Sequence, residues 1–388
     1  MPTSSEPRAL GPAADGPLGA AWRADAESRQ EAALLPGRTV VSCSAPYGSG
    51  GLGRHLQEIV DALDRRGQPS SCLCGSVSPS AMTPSSSALR EVHAGVLGTR
   101  LARLVAFSPA WRTWATSVDF DGRAARALAP TEHLVAFNGQ ALAQFRRARR
   151  GLSESISLVA ANSHMRNVVR QHAQAYRRYP FERSWTTHLL KRNLLEYSLA
   201  DRIYVASRYV WESFREEGVP EDSLAYLPLT PDPRYQAQGE GAARSDAFEV
   251  VYVGSLTVHK GVPLLVEAFS RLPHPDMRLV LVGGWATRGM RRFIEGACAR
   301  DPRISVRPGD PLPHLRRARL YVHAAYEDGF AYAPAEALAC GVPVIVSQDT
   351  GMKELIASSR FGTIVPTGEV DALTEAIGAA YRGEICSG

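Results

Sequence analysis

Two carboxylates stand eight positions apart in Glu327-Asp328-Gly329-Phe330-Ala331-Tyr332-Ala333-Pro334-Ala335-Glu336, Asp328 at a glycine turn and Glu336 in the opening turns of the helix expected there. An ionised carboxylate accepts two hydroxyl hydrogens at once, which suits the vicinal hydroxyls of a sugar or other polyol. Taken singly, an Asp that shapes a turn and a Glu that complements a helix dipole would leave the same trace. A cation lies upstream. Only three of the 44 Lys and Arg residues are lysines, and Lys260-Gly261-Val262-Pro263 puts one of them at a helix start, after a strand that ends in Val253-Gly254-Ser255-Leu256. An ammonium group there can neutralise a phosphate, although a solvated helix-start lysine has the same sequence. Nearer the N-terminus, Gly48-Ser49-Gly50-Gly51-Leu52-Gly53 follows a strand and opens a helix, where unpaired N–H groups and the positive end of the helix dipole attract an anion. It is not a Walker A loop, since no Gly-Lys-Ser/Thr follows, and it is a poor dinucleotide fingerprint, since no acidic residue closes a second strand about twenty residues on. A tight turn alone accounts for it equally well.

Two further signals are weaker. His164, in a polar Asn162-Ser163-His164 loop, reads by itself as a surface residue. The triplet Asp119-Phe120-Asp121 imitates a metal-binding Asp-x-Asp, but it precedes Gly122-Arg123-Ala124-Ala125, where Asp reads as a cap at a helix start. The six cysteines are scattered, and the close pair Cys72 and Cys74 has no His or further Cys at zinc spacing, so reduced thiols are expected and no metal.

The elements that must position these residues alternate. Thr39–Ser44 reads as a strand, and Leu52, Leu56, Ile59, Val60 and Leu63 then fall at helical spacing up to Gly67. Further strands are expected at Ser71–Cys74, Leu134–Phe137, Ser157–Ala160 and Arg202–Val205. A second series runs Phe248–Val253 strand, Val262–Arg271 helix, Arg278–Val282 strand, Arg288–Cys298 helix, Ile304–Arg307 and Leu320–His323 strands, Pro334–Cys340 helix, Val342–Ser347 strand and a closing helix near Val370–Tyr381. Such alternation favours parallel sheets flanked by helices, with ligands at the carboxyl ends of the strands. The division expected is a flexible arm over 1–38 with a weak helical tendency at Ala20–Leu35, a first α/β domain over 39–230, a linker over 231–246 marked by Pro228, Pro231 and Pro233, and a second α/β domain over 247–388.

Length and composition fit. The 388 residues are 45% hydrophobic and 21% charged, with a net charge of +5, the balance of a soluble globular chain with room for two or three domains. No run approaches the roughly 18 apolar residues of a membrane span, and no apolar block follows a basic start, so a cytoplasmic location is expected. The Arg-rich stretches at 146–150 and 177–183 suit a solvated helix face or an acidic surface such as the inner face of a membrane; no nucleic-acid-binding signature accompanies them.

In combination these motifs resemble family 4 of the retaining glycosyltransferases, which have the GT-B fold: two doubly wound Rossmann-like domains facing across a cleft. The resemblance spans most of 39–380 and rests on Gly50-Gly51-Leu52-Gly53-Arg54-His55, Val253-Gly254-Ser255 with Lys260-Gly261, the spaced acidic pair, Ala337-Leu338-Ala339-Cys340-Gly341-Val342-Pro343-Val344, Ala200-Asp201-Arg202-Ile203 running to Ser207, and Gly351 with Glu354. It implies a sugar transfer from a nucleotide-diphosphate sugar to an acceptor hydroxyl, with no metal and no cofactor beyond that co-substrate. By position, the donor diphosphate would touch Gly50, Gly51 and Lys260, with Arg54 and Ser255 beside it. Glu336 would hold the ribose, Asp328 and the amides of Gly329, Phe330 and Ala331 the donor sugar, and the loop of Asp310 and Leu312 the base. His164 resembles the histidine that meets the sugar beside the reacting carbon.

Four departures accompany the matches: Asp328 stands where Glu is usual, Ser255 where Arg is usual, and Ala331 and Thr350 where glycines are usual. The acceptor, a glycan, a lipid-linked or a small molecule, would bind the first domain, where Trp111, Trp114, Tyr176, Tyr179 and Trp185 stack on sugars or pack the interior. Two other classes share the scaffold: a nucleotide-sugar epimerase or phosphorylase, and a catalytically silent nucleotide-sugar-binding protein.

Overall fold

The computed structural model describes Leu18 and residues 20–93, 108–237, 247–357 and 361–384. Short β-branched runs form the strands β1 (Thr39–Tyr47), β2 (Ser70–Val77), β3 (Ser87–Glu91), β4 (Thr131–Phe137), β5 (Ser153–Ala160), β6 (Arg202–Val205), β7 (Leu224–Tyr226), β8 (Phe248–Val253), β9 (Met277–Val282), β10 (Ile304–Val306), β11 (Leu320–His323), β12 (Val344–Ser347) and β13 (Gly362–Val365). The longer amphipathic stretches form α1 (Ala20–Ala33), α2 (Gly50–Arg65), α3 (Pro109–Ala127), α4 (Leu142–Arg147), α5 (Met165–Arg178), α6 (Leu190–Leu199), α7 (Arg208–Glu216), α8 (Val262–Ser270), α9 (Arg288–Arg300), α10 (Leu312–Arg317), α11 (Tyr332–Ala339), α12 (Lys353–Ala357) and α13 (Val370–Tyr381).

The strands pair into two sheets, β3-β2-β1-β4-β5-β6-β7 and β10-β9-β8-β11-β12-β13, and every pairing is parallel. Parallel sheets bury both faces, and the alternation along the strands shows it. On β4, Leu134 and Ala136 enter one core with Val40 of β1, while Val135 and Phe137 enter another with Val41 and Cys43. In the second sheet Val250, Tyr252, Leu279, Leu281, Leu320 and Val322 share a single core with α8, α9 and α13. In each sheet the strand order reverses once, between β1 and β4 and between β8 and β11. Sheets of this kind bind ligands at the carboxyl ends of their strands, beside such a reversal.

The chain divides into two compact units, with Asp25–Val169 and Arg183–Leu229 in the first and Arg170–Glu182 and Thr230–Gly388 in the second. Besides the described residues up to Ala24, one stretch of the expected first domain falls in the second unit. Residues 170–182 group with the second unit, because Ala175 and Tyr179 pack into its core. Part of the expected flexible arm is also built: Gln30 Nε2 donates to Pro228 O (2.7 Å) and Glu58 Oε2 (2.8 Å), and Arg66 donates to Leu34 O (2.8 Å). Leu34 is buried, so the weak helix α1 is held by tertiary contacts more than by its own propensity. The remainder of that arm, residues 1–17 and 19, and residues 238–246 of the expected linker lie outside the described residues. Among the described residues no helix is long and apolar enough to cross a membrane.

Candidate functional site

At the reversal of the second sheet, β8 and β11 point their carboxyl ends to the same edge. After β8 the chain passes Gly254 and Ser255, bridges Leu256 to Trp285 and reaches Lys260 at the turn into α8. Gly261 makes that turn possible. Its φ is +70°, and a Cβ there would lie 1.8 Å from the carbonyl oxygen of Ala324, so the loops after β8 and β11 are in backbone contact and no side chain fits between them. After β11, Asp328 is set by its backbone, N–H to Asp349 O (3.2 Å) and O from Gly351 N–H (3.0 Å).

The contact of these loops pairs two of the expected site residues. Lys260 Nζ donates to Asp328 Oδ2 at 2.6 Å, and His323 Nε2 lies 3.0 Å from the same oxygen. The His323 ring stacks on Tyr252 with an interplanar angle of 6°. Burial alone would raise the Asp328 carboxyl, but Lys260 and His323 hold it well below the ordinary carboxylate range, so it is ionised. Glu336 is buried in α11, and its charge and that of Asp328 both help hold the Tyr321 phenol of β11 above its ordinary value, behind the larger effect of burial. Gly329, Phe330 and Ala331 lie between the two carboxylates in sequence, and Ala331 stands at φ 69° and ψ 104° just before α11.

Other expected residues take separate places. Ser255 is exposed beyond β8. Asp310 accepts from Leu312 N–H at 3.3 Å and pairs with Arg234 at 3.1 Å, so this loop is tied down by charge. In the first unit Gly50 and Gly51 are exposed at the start of α2, with open space where a Cβ would stand, while Gly53 is pressed against Pro46, whose oxygen would lie 1.8 Å from a Cβ. Arg54 follows, half-buried. His164 is not the surface residue that its polar loop suggests. It is 3% exposed, its ring lies against Tyr197 and Phe214, and burial pushes its imidazole down to about 4.

The triplet Asp119-Phe120-Asp121 is also relocated. Both aspartates lie inside α3 and cap no start of their own helix. Asp121 instead accepts Ala143 N–H (2.7 Å) and Gln144 N–H (3.0 Å) of α4 and pairs with Arg192. Among the described residues no group of three or more His, Cys, Asp and Glu side chains is arranged to hold a metal. Of the aromatic residues expected to face an acceptor in the first domain, Tyr176 and Tyr179 belong to the second unit.

Sequence reasoning missed His323, His259 and Glu182, and gave Tyr176 a different role. His323 left a readable signal, because it ends the apolar run Leu320-Tyr321-Val322 at the carboxyl end of a strand. His259 and Glu182 had none, since only the fold brings residues 170–182 to the loop before Lys260.

Comparison with known proteins finds a family match on the second unit. The family described as "Glycosyl transferases group 1" matches residues 236–385. A D-inositol 3-phosphate glycosyltransferase of Mycobacteroides abscessus is 30% identical over 162 residues, 39% of this chain and 35% of the relative. A GDP-mannose-dependent alpha-(1-6)-phosphatidylinositol monomannoside mannosyltransferase of Mycolicibacterium smegmatis is 28% identical over 200 residues, 46% of this chain and 52% of the relative. The matched region thus spans a third to a half of the length of these curated relatives. Among solved structures, sucrose-phosphate synthase from Thermosynechococcus elongatus superposes with a TM-score of 0.66 at 18% identity over 89% of this chain and 90% of that one. Anabaena HepE, in complex with UDP and glucose, gives 0.65 at 15% over 90% and 91%. These likenesses establish the fold, the two doubly wound sheets of the GT-B class.

Proposed function

We propose, from the match of residues 236–385 to the model of the group 1 glycosyl transferases, that this chain moves a sugar from a nucleotide-diphosphate sugar to an acceptor hydroxyl, with retention at the sugar carbon and without a metal. The observation that carries the reading is the ion pair of Lys260 and Asp328 (2.6 Å) at the carboxyl ends of β8 and β11. In such a transfer the bond from the sugar to the diphosphate loosens, positive charge grows on the sugar and negative charge on the leaving phosphate. Stabilising that leaving group is the larger task. The bond to Asp328 occupies one of three ammonium hydrogens of Lys260 and leaves two for phosphate oxygens. Asp328, held ionised, accepts sugar hydroxyls, and Glu336 accepts those of the ribose. That a structural neighbour of this fold was solved with UDP and glucose supports a nucleotide-sugar donor.

The test is a thermal-shift screen of UDP-, GDP-, ADP- and TDP-sugars on the wild type, Lys260→Ala and Glu336→Ala, because a ligand that binds only the folded state raises its stability. One nucleotide series is expected to stabilise the wild type and neither variant. With that donor and an acceptor in hand, Lys260→Ala is expected to lose on the order of 2–4 kcal/mol of transition-state stabilisation, and turnover is expected to survive a chelator. Stabilisation that persists in Lys260→Ala would place the donor elsewhere; binding without turnover would make the chain a binding protein.

A further inference from the structure

Lys260 is presented by a short irregular loop, Thr257–Lys260, and a lysine on a mobile loop is a poor electrostatic tool because its flexible stem and its backbone must both be fixed on binding. The loop has little support of its own: Gly261 N–H closes onto Val258 O (2.9 Å), and His259 O accepts Tyr326 N–H (2.8 Å). Val258 is also buried in the core of the unit, and further support comes from residues 170–182. Glu182, 6% exposed, accepts Val258 N–H on Oε2 at 2.7 Å and the Thr287 hydroxyl on Oε1 at 2.7 Å. Tyr176 Oη lies 3.0 Å from His259 Nδ1, and the buried ring of His172 stacks on His259 with centroids 4.8 Å apart. Two successive residues of the loop, Val258 and His259, are therefore gripped just before the lysine. An apolar residue in place of Glu182 would fill the space; a buried carboxylate spent on one loop amide and one hydroxyl specifies a position instead, since burial itself raises the carboxyl and opposes its charge. The segment is fastened independently of the loop, through Tyr179 Oη and Arg178 to Glu267 of α8 at 2.7 and 3.1 Å.

We propose that residues 170–182 form a positioning strap for Lys260, in which Glu182 and Tyr176 fix the loop Thr257–Lys260 so that the ammonium group meets a nucleoside diphosphate in a preset place. The proposal rests on the reading of Lys260 as the diphosphate-binding cation. Neither Glu182 nor Tyr176 touches the ligand; both act through the lysine.

The experiment is calorimetric titration of UDP, GDP, ADP and TDP into the full chain, below the melting temperature of each variant. The diphosphate that binds the wild type is expected to bind Tyr176→Phe and Glu182→Ala about tenfold more weakly, the effect of one lost hydrogen bond behind a charged group. Glu182→Gln, which keeps an acceptor for Val258 N–H and a partner for Thr287, is expected within about threefold of wild type. In a Lys260→Ala background Tyr176→Phe is expected to have no further effect, whereas a merely structural loss would be additive. Wild-type binding by Tyr176→Phe and Glu182→Ala, or an equal loss with and without the lysine, overturns the strap and leaves Lys260 in its role. Wild-type binding by Lys260→Ala, or none of the four binding the wild type, overturns the reading of Lys260 and the strap with it.

Discussion

Ala331 is the one non-glycine residue at positive φ among those described, and it sits between Asp328 and the helix that carries Glu336. A Cβ in that conformation is strained, and strain of this kind persists where the surroundings over-determine the backbone. Ala331→Gly is therefore expected to stabilise the protein by about 1 kcal/mol net of the entropy a glycine adds to the unfolded chain, read as a higher denaturant midpoint with the slope unchanged. An unchanged midpoint would mean that the loop has already relaxed around the methyl group. At this scale the sequence was informative about residue types and silent about partners. Lys260 stood out as one of three lysines, and Asp328 by its glycine turn, yet their pairing across 68 positions of sequence depends on β8 and β11 lying side by side. His164 shows the converse: its neighbours in sequence are polar, but those in space are Tyr197 and Phe214.

The elements were legible in proportion to their burial. The strands near the middle of each sheet carry apolar residues at successive positions and were anticipated to within a few residues, as were α2 and α8. Those not anticipated, β3, β7 and β13, are edge strands, β7 of only three residues and β13 opening on a glycine. Edge strands bury little, so their pattern is faint. Caps supplied from afar were equally hidden. α4 begins at Ala141 with no side-chain cap of its own; Glu196 accepts Ala141 N–H (2.9 Å) and Leu142 N–H (3.1 Å), and Asp121 accepts the next two. Asp121→Ala would strand two N–H groups and remove a partner of Arg192. It is expected to cost about 2–4 kcal/mol in denaturant unfolding, more than a surface N-cap. A loss under about 0.5 kcal/mol would show that water replaces the carboxylate there.

Over the whole molecule, buried imidazoles set the response to acid. Burial pushes His55 and His172 down to about 3 and His164 to about 4, and lowers His259 as well, with His172 and Lys260 adding to its shift. In the folded chain His55, His172 and His164 are neutral at pH 5, while in the unfolded chain each takes up a proton as pH falls through its ordinary 6.5. The unfolded state then binds more protons, so stability falls on acidification, by about 1.4 kcal/mol per pH unit for each such histidine. Glu196, pushed up to about 7 by burial, works with the opposite sign, because the folded state keeps its proton where the unfolded chain has lost it. Burial also raises Asp61, Asp121 and Glu182, but an imidazole's ordinary value of 6.5 lies inside this pH window and a carboxyl's does not, so the melting temperature is expected to drop from pH 7 to pH 5. His55 allows a clean check, since its Nε2 has no hydrogen-bond partner and its ring packs edge-on against Phe137 at 5.0 Å. His55→Leu removes one neutral imidazole without stranding a partner and is expected to reduce the slope of unfolding free energy against pH by about one proton between pH 6 and 5. Parallel slopes for the two proteins would mean that His55 is protonated in the folded state, and the buried-imidazole account of acid sensitivity would fail at its simplest member.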